Sequence, residues 1–345
     1  MKNTKTKVNN IFYSLLIFGD FLFYLTQNCL DFSKNSAWVS VILMAVISTV
    51  LLFILNVAVK KAGTIKSTLL NKMFILCLGA FSYIKASLFL ATASESIGTY
   101  FYRQSPADFI LLLLCIGCFF CLVTEKRAVV TAGGIVATAV LFFILLMVIT
   151  ASPDFEFYGI FPVFGEGNIK SFISLPFVYS LSNIVFFYRD NLGKKPTRPI
   201  LYAGVTGAVL LLGIVLIKPY QLLGESFPNT VFELSSLASL GILFKKFEII
   251  LLALWVLCAL AVGGYFSYTA LGCVKSMLAL KDKKGIAGMH IIAVYGLGNL
   301  FLKLDTAIVY SYVSALFFAF SVICLAVIII KLIFKFKGGN KNEVY

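Results

Sequence analysis

Two side chains carry charge where the surrounding sequence is hydrocarbon. Asp20 follows Gly19 in "LIFGDFLF", and Lys85 lies in "FSYIKASLF". An ionised group inside a bilayer is costly and usually faces a partner or a water-filled cavity. A carboxylate and an ammonium at similar depth can neutralise each other. Alternatively, each can face water and hold the opposite end of a small zwitterion. Both arrangements fit the sequence. Tyr83 beside Lys85, Tyr265 after a Gly263–Gly264 pair, and the polar run Tyr179, Ser180, Ser182 and Asn183 are the further residues that could line such a chamber.

The elements that position these groups follow from composition. Of 345 residues, 60% are hydrophobic and only 13% are charged, with a mean hydropathy of +0.98. That balance lies outside the range of soluble domains. A membrane helix needs about 20 apolar residues. Such stretches occur at Ile11–Leu30, Ala37–Val59, Leu69–Ala93, Ala107–Thr124, Ala128–Thr150, Ser171–Tyr188, Ile200–Ile217, Ile249–Val274, Ile286–Leu302 and Ala307–Phe334. The expectation is an all-α integral membrane protein with ten spans in one polytopic domain, residues 1–345. The first stretch contains Asp20 and no small-residue cleavage site follows it, so it is read as a retained span.

The formal net charge of +14 raises the question of nucleic acid, but its distribution answers it. Lys60, Lys61, Lys66 and Lys72 cluster after span two, and Arg189, Lys194, Lys195 and Arg198 after span six. The acidic Asp154, Glu156, Glu166, Glu225 and Glu233 fall in the alternate loops. Such asymmetry orients membrane helices and predicts both termini in the cytoplasm. The charge is topogenic, and no nucleic-acid partner is expected.

Gly19 before a charge suggests a locally opened first helix. Span six has a counterpart, because Pro176 removes a backbone donor just before Tyr179. Two interrupted helices in corresponding positions of two five-span halves point to a midplane site between inverted repeats. There, freed N–H groups would hold a carboxylate, while open carbonyls or Asp20 would hold an ammonium. That suits an amino acid. Ordinary helix kinks at Gly19 and Pro176 account for the pattern equally well. By helical rise, Lys85 falls only about 5 Å further out than Asp20.

The link between Lys218 and Glu248 has structure of its own. Pro228 breaks it early, Thr230 and Glu233 form a capping box, and apolar positions then recur at helical spacing. Fourteen residues make about 21 Å of helix, too little to span. An amphipathic segment over 229–245 is expected in the outer leaflet, either as an anchor or as a lid, with Lys245 and Lys246 ending it at headgroup level.

Other chemistry is not indicated. No phosphate-binding glycine loop appears. Cys115, Cys118 and Cys121 form a C-x-x-C-x-x-C run, but without nearby histidines it reads as a small-residue packing face rather than a metal site. His290, the single histidine, falls near one end of span nine and reads as an interface residue, with a proton relay as the alternative. No catalytic set, cofactor or metal is expected, and the chain is not read as an enzyme.

The stretch "FPNTVFELSSLASLGILFKKFEIILLALWVL" resembles the spore germination permease family, the B-subunit of nutrient germinant receptors, within the amino acid–polyamine–cation transporter superfamily. The resemblance rests on Phe227–Pro228, the short Ser/Leu helix, Lys246 with Glu248, and Trp255–Val256. "SKNSAWVSV" from Ser33 is similar to the start of that family's second span, and "SLSNI" from Ser180 falls where the family tends toward a Ser-x-Gly-Glu run. Lys246 stands where Arg is usual and Asn183 where Glu is common; Asp20 is not typical of the family's first span. The resemblance implies a LeuT-like plan of two inverted five-helix repeats with discontinuous helices 1 and 6. It also implies the spore inner membrane, partnership with A- and C-type receptor subunits, and a small nutrient ligand, with Pro228, Lys246, Glu248 and Trp255 at an external gate. An autonomous secondary amino-acid transporter is the alternative.

Overall fold

A computed structural model describes residues 11–16, 19, 36–62, 68–102, 104–152, 197–217, 231, 247–278, 284–304, 319, 326, 329 and 330. Seven helices are resolved within them: α1 Ala37–Ala62, α2 Thr68–Tyr100, α3 Ala107–Val123, α4 Lys126–Thr150, α5 Thr197–Ile217, α6 Phe247–Leu278 and α7 Lys284–Lys303. Residues 11–16 and 19 are also helical. No strand occurs among the described residues.

Four stretches among them are long and apolar enough to cross a membrane: Ile75–Tyr100, Lys126–Thr150, Ile249–Leu278 and Lys284–Lys303. The outward faces support the same conclusion. Leu113, Ile116 and Phe120 on α3, and Ile135, Phe142 and Ile149 on α4, are all exposed. A bundle whose surface is as oily as its core needs lipid, not water, around it. The protein is a helical membrane protein.

Two bounds differ from the hydropathy reading in an instructive way. α2 does not stop at Ala93, just after Thr92, but continues through Ser94, Glu95 and Ser96 to Tyr100. Hydroxyls permit this because they can bond back to their own helix. The Thr92 hydroxyl donates to the Leu88 carbonyl at 2.9 Å, and that of Ser94 to Ala91 at 2.7 Å. α6 likewise continues past Val274 to Leu278, with Lys275 in its last turn. Expected spans Ser171–Tyr188 and most of Ala307–Phe334 lie outside the described residues. So does nearly all of the 229–245 segment, whose Val231 is helical and fully buried.

Helix ends between α3 and α4 are set locally. Pro106 precedes α3, where its missing donor costs nothing. Asp108 in the first turn accepts the Phe109 N–H at 3.0 Å. At the other end the Thr124 hydroxyl donates to the Cys121 carbonyl at 2.8 Å, and extended Thr124 turns the chain directly into α4.

The core is an antiparallel pair, α2 against α6. Gly79 meets Cys273, Lys85 meets Phe266, and Leu90 meets Gly263, so residue numbers rise on one helix as they fall on the other. Small residues suit these crossings: a Cβ at Gly79 would lie 2.9 Å from the Cys273 Cβ, and one at Gly263 would lie 2.7 Å from Leu90 Cδ2, so that the leucine would have to shift. Close backbone approach of this kind is the usual route to membrane-helix packing. α3 and α7 pack on α2, while α4 packs on α6. α1 pairs with α5, where Gly204 admits the Ala45 side chain, and α5 leans on α4 through Gly213 and Val148.

Two of the α3 cysteines, Cys118 and Cys121, belong to this packing. A Cβ at Gly263 would sit 3.6 Å from Cys118 Sγ, and one at Gly264 would sit 3.0 Å from Cys121 Cβ. Gly298 performs the same service toward Leu111, but Gly296 has nothing within 4 Å among the described residues.

Candidate ligand-binding site

Lys85 is fully buried near the middle of α2. Its Nζ lies 4.8 Å from the centre of the Phe266 ring on α6 and 5.9 Å from that of Phe81, one turn back on α2. A ring face attracts an ammonium by about 0.5–2 kcal/mol. Placing a lysine at mid-span costs about 2.5–3.5 kcal/mol even on the most lenient scale. The rings therefore offset only part of the cost, and other groups around the ammonium must supply the rest.

The wall facing Lys85 is a stripe on α6. Val262, Tyr265, Phe266 and Thr269 fall at i, i+3, i+4 and i+7, one side of a helix. On α2 the matching stripe is Phe81, Ser82, Lys85 and Phe89. All eight residues are buried. The first-span residues close the third side. A Cβ at Gly19 would lie 3.1 Å from Phe89 Cζ and 3.5 Å from Val262 Cγ2, so Gly19 sits in the groove between α2 and α6. Helical side chains lean toward the N-terminus, which brings the Phe89 ring back toward Lys85. Gly19 thus touches the residues one turn along from Lys85 on α2 and from Phe266 on α6.

One end of this groove is shut by aromatic rings. Tyr265 packs edge-on against Phe12 at 5.3 Å and against Tyr13 at 6.3 Å. Lys126 Nζ, at the start of α4, lies 5.3 Å from the Tyr265 ring centre. Phe12 in turn fills the space that a side chain at Gly133 would need.

The residues proposed from sequence are therefore placed unequally. Gly19, Lys85 and Tyr265 come together at one groove. Tyr83 does not join them: two residues from Lys85, it points to the other side of α2, where its ring lies 5.7 Å from that of His290 on α7. Trp255 is buried but lies about 16 Å along α6 from Phe266 by helical rise. It lines a small apolar hollow with Val140, Phe143 and Ile144 of α4 and Cys258. Glu248 begins α6 one residue after Phe247. Asp20, Tyr179, Ser180, Ser182, Asn183, Pro228 and Lys246 lie outside the described residues.

Sequence reasoning passed over Phe89, Phe266 and Thr269, which shape the groove as much as Tyr265 does. The signal that could have found them is the i, i+3, i+4, i+7 stripe itself, which begins at Val262 beside the paired glycines. Glu95 lies inside α2, two residues beyond the end that hydropathy predicts for the third span.

No family model and no curated protein sequence matches the chain. Among solved structures, it is similar to a manganese transporter of Eremococcus coleocola determined in complex with an aromatic bis-isothiourea substituted compound. That similarity is 13% in identity with a TM-score of 0.46, over 95% of this chain and 79% of the transporter.

Proposed function

We propose that this chain is a transporter-like membrane protein that binds a small nutrient, an amino acid in the first instance, within its helix bundle. Its task on this reading is sensing: it is the permease-type subunit of a spore germinant receptor, in the spore inner membrane with both termini cytoplasmic. It acts there with A- and C-type subunits. The observation that carries the binding role is the fully buried Lys85 of α2 set against Phe266 of α6, one turn from the residues that Gly19 touches. A charge so placed marks a ligand pathway more often than it stabilises a fold. The germination role rests on the resemblance around Phe227–Val256 and Ser33–Val41.

On this reading Asp20 faces the groove from the residue after Gly19, either paired with Lys85 or holding the ligand's ammonium. Ser180 to Asn183 on the sixth span face it from the other repeat. Ligand binding biases the bundle toward one of two arrangements, which requires tighter binding to that arrangement.

Deletion of the chain tests the sensing role. Spores lacking it stop responding to one class of nutrient while responding normally to others. Spores that respond to every nutrient, with no second receptor present, rule the role out. Reconstitution in liposomes separates the alternative: sustained, gradient-driven uptake of an amino acid by the chain alone would make it an autonomous transporter.

A further inference from the structure

Helical threonines in this protein share a habit. Thr92, Thr131, Thr138, Thr150 and Thr206 each donate a hydroxyl hydrogen bond to the carbonyl four residues back, at 2.8–3.0 Å. Two do not: Thr49 of α1, on the helix that pairs with α5, and Thr269 of α6, on the seam with α2. Thr269 is 4% exposed, and its hydroxyl has no hydrogen-bond partner among the described residues. A buried hydroxyl without a partner calls for an explanation, commonly a water, an ion or a ligand absent from the structure.

Its position supplies one. Thr269 ends the α6 stripe whose earlier members touch Gly19 (Val262), Phe12 and Tyr13 (Tyr265) and Lys85 (Phe266). One turn further, Cys273 seals α6 against Gly79. Ser267 provides the contrast. It is equally buried and also lacks a partner among the described residues. However, it falls one turn after Gly263 and Gly264, which meet Leu90, Cys118 and Cys121, so it turns toward α3 and away from the Val262–Thr269 stripe. Of these two hydroxyls, Thr269 is the one on the stripe with Phe266, against which Lys85 lies.

We propose that Lys85 and Thr269 form the subsite for a carboxylate of the ligand. The ammonium of α2 supplies charge, the hydroxyl of α6 donates a second hydrogen bond, and the acid group bridges the two core helices. This rests on the reading of the groove as a nutrient site. One point charge and one neutral donor suit a monoanionic carboxylate; a phosphate dianion calls for arginines or an array of backbone N–H groups. Phe81 and Phe266 line the groove for a small apolar body. The ligand class is thus small organic acids, amino acids included, and excludes amines, amides and sugars.

The test uses the purified full-length chain in lipid nanodiscs, screened by thermal shift against L-amino acids, short monocarboxylic acids and sugars. Each acid that stabilises the protein is then titrated beside its carboxamide. The acid binds at least about 100-fold more tightly than the amide. Lys85→Met abolishes binding and Lys85→Arg restores part of it. Thr269→Val weakens binding about tenfold, whereas Thr269→Ser does not. An acid and its amide binding within about twofold of each other overturns the subsite, as does wild-type affinity in Thr269→Val. Sugars as the sole hits also overturn it while sparing the nutrient site. No hit in any class removes both.

Discussion

The ammonium of Lys85 lies 4.8 Å from the centre of the Phe266 ring, across the seam of the two core helices. The contact gives a narrow prediction about stability. Phe266→Leu keeps an apolar side chain but removes the ring face, and it lowers stability by about 0.5–2 kcal/mol beyond the loss of packing. Phe266→Trp retains the attraction. Thermal melts of the two purified variants compare them directly; equal melting temperatures would show that the ring contributes nothing to holding Lys85.

Glycines at the crossings give a second prediction with a built-in control. Gly79→Val pushes α2 off Cys273 and Gly263→Val pushes α6 off Leu90, each costing about 1–3 kcal/mol through overpacking. Gly296→Ala meets nothing within 4 Å among the described residues and leaves the melt unchanged or slightly raised. If all three variants melt together, the close α2–α6 seam is wrong.

His290 gives a third. Its ring is buried against Tyr83, and Nε2 finds no hydrogen-bond partner among the described residues. Replacing an unsatisfied polar group by an apolar one of similar size is neutral or stabilising. His290→Leu therefore melts at or above the wild-type temperature. A drop of several degrees would mean that the imidazole has a partner essential to the fold.

Asp20 provides the functional counterpart. Asp20→Asn keeps the shape and removes the charge one residue from Gly19, which occupies the groove. On the proposed sensing role, the variant protein reaches the membrane at normal levels, and spores carrying it lose or shift their nutrient response. An unchanged response at unchanged nutrient concentration would make Asp20 a structural residue.

Hydropathy alone made the membrane-spanning character legible, because about 20 apolar residues can hardly mean anything else. Lys85 stood out for the same reason, as a cation within such a stretch. The extent of α2 was not legible: Ser94, Glu95 and Ser96 look like a loop, yet the hydroxyls bond within the helix and let it run to Tyr100. Nor was the direction of Tyr83. Adjacency to Lys85 suggested a shared site, but two residues on a helix are about 200° apart. Thr269 was invisible because nothing in a sequence marks a threonine that forgoes its usual bond to its own backbone.

That separation of Tyr83 from Lys85 has a mechanical meaning. The two residues are handles on opposite flanks of one rigid rod, one gripping α6, the other resting on the imidazole of α7. Any roll of α2 that accompanies occupancy beside Lys85 must drag the phenol across His290. α7 carries Met289, Ile292 and Leu300 on its outer surface. An event sealed inside the bundle would thereby become a displacement of that surface, without the ligand ever leaving its seat.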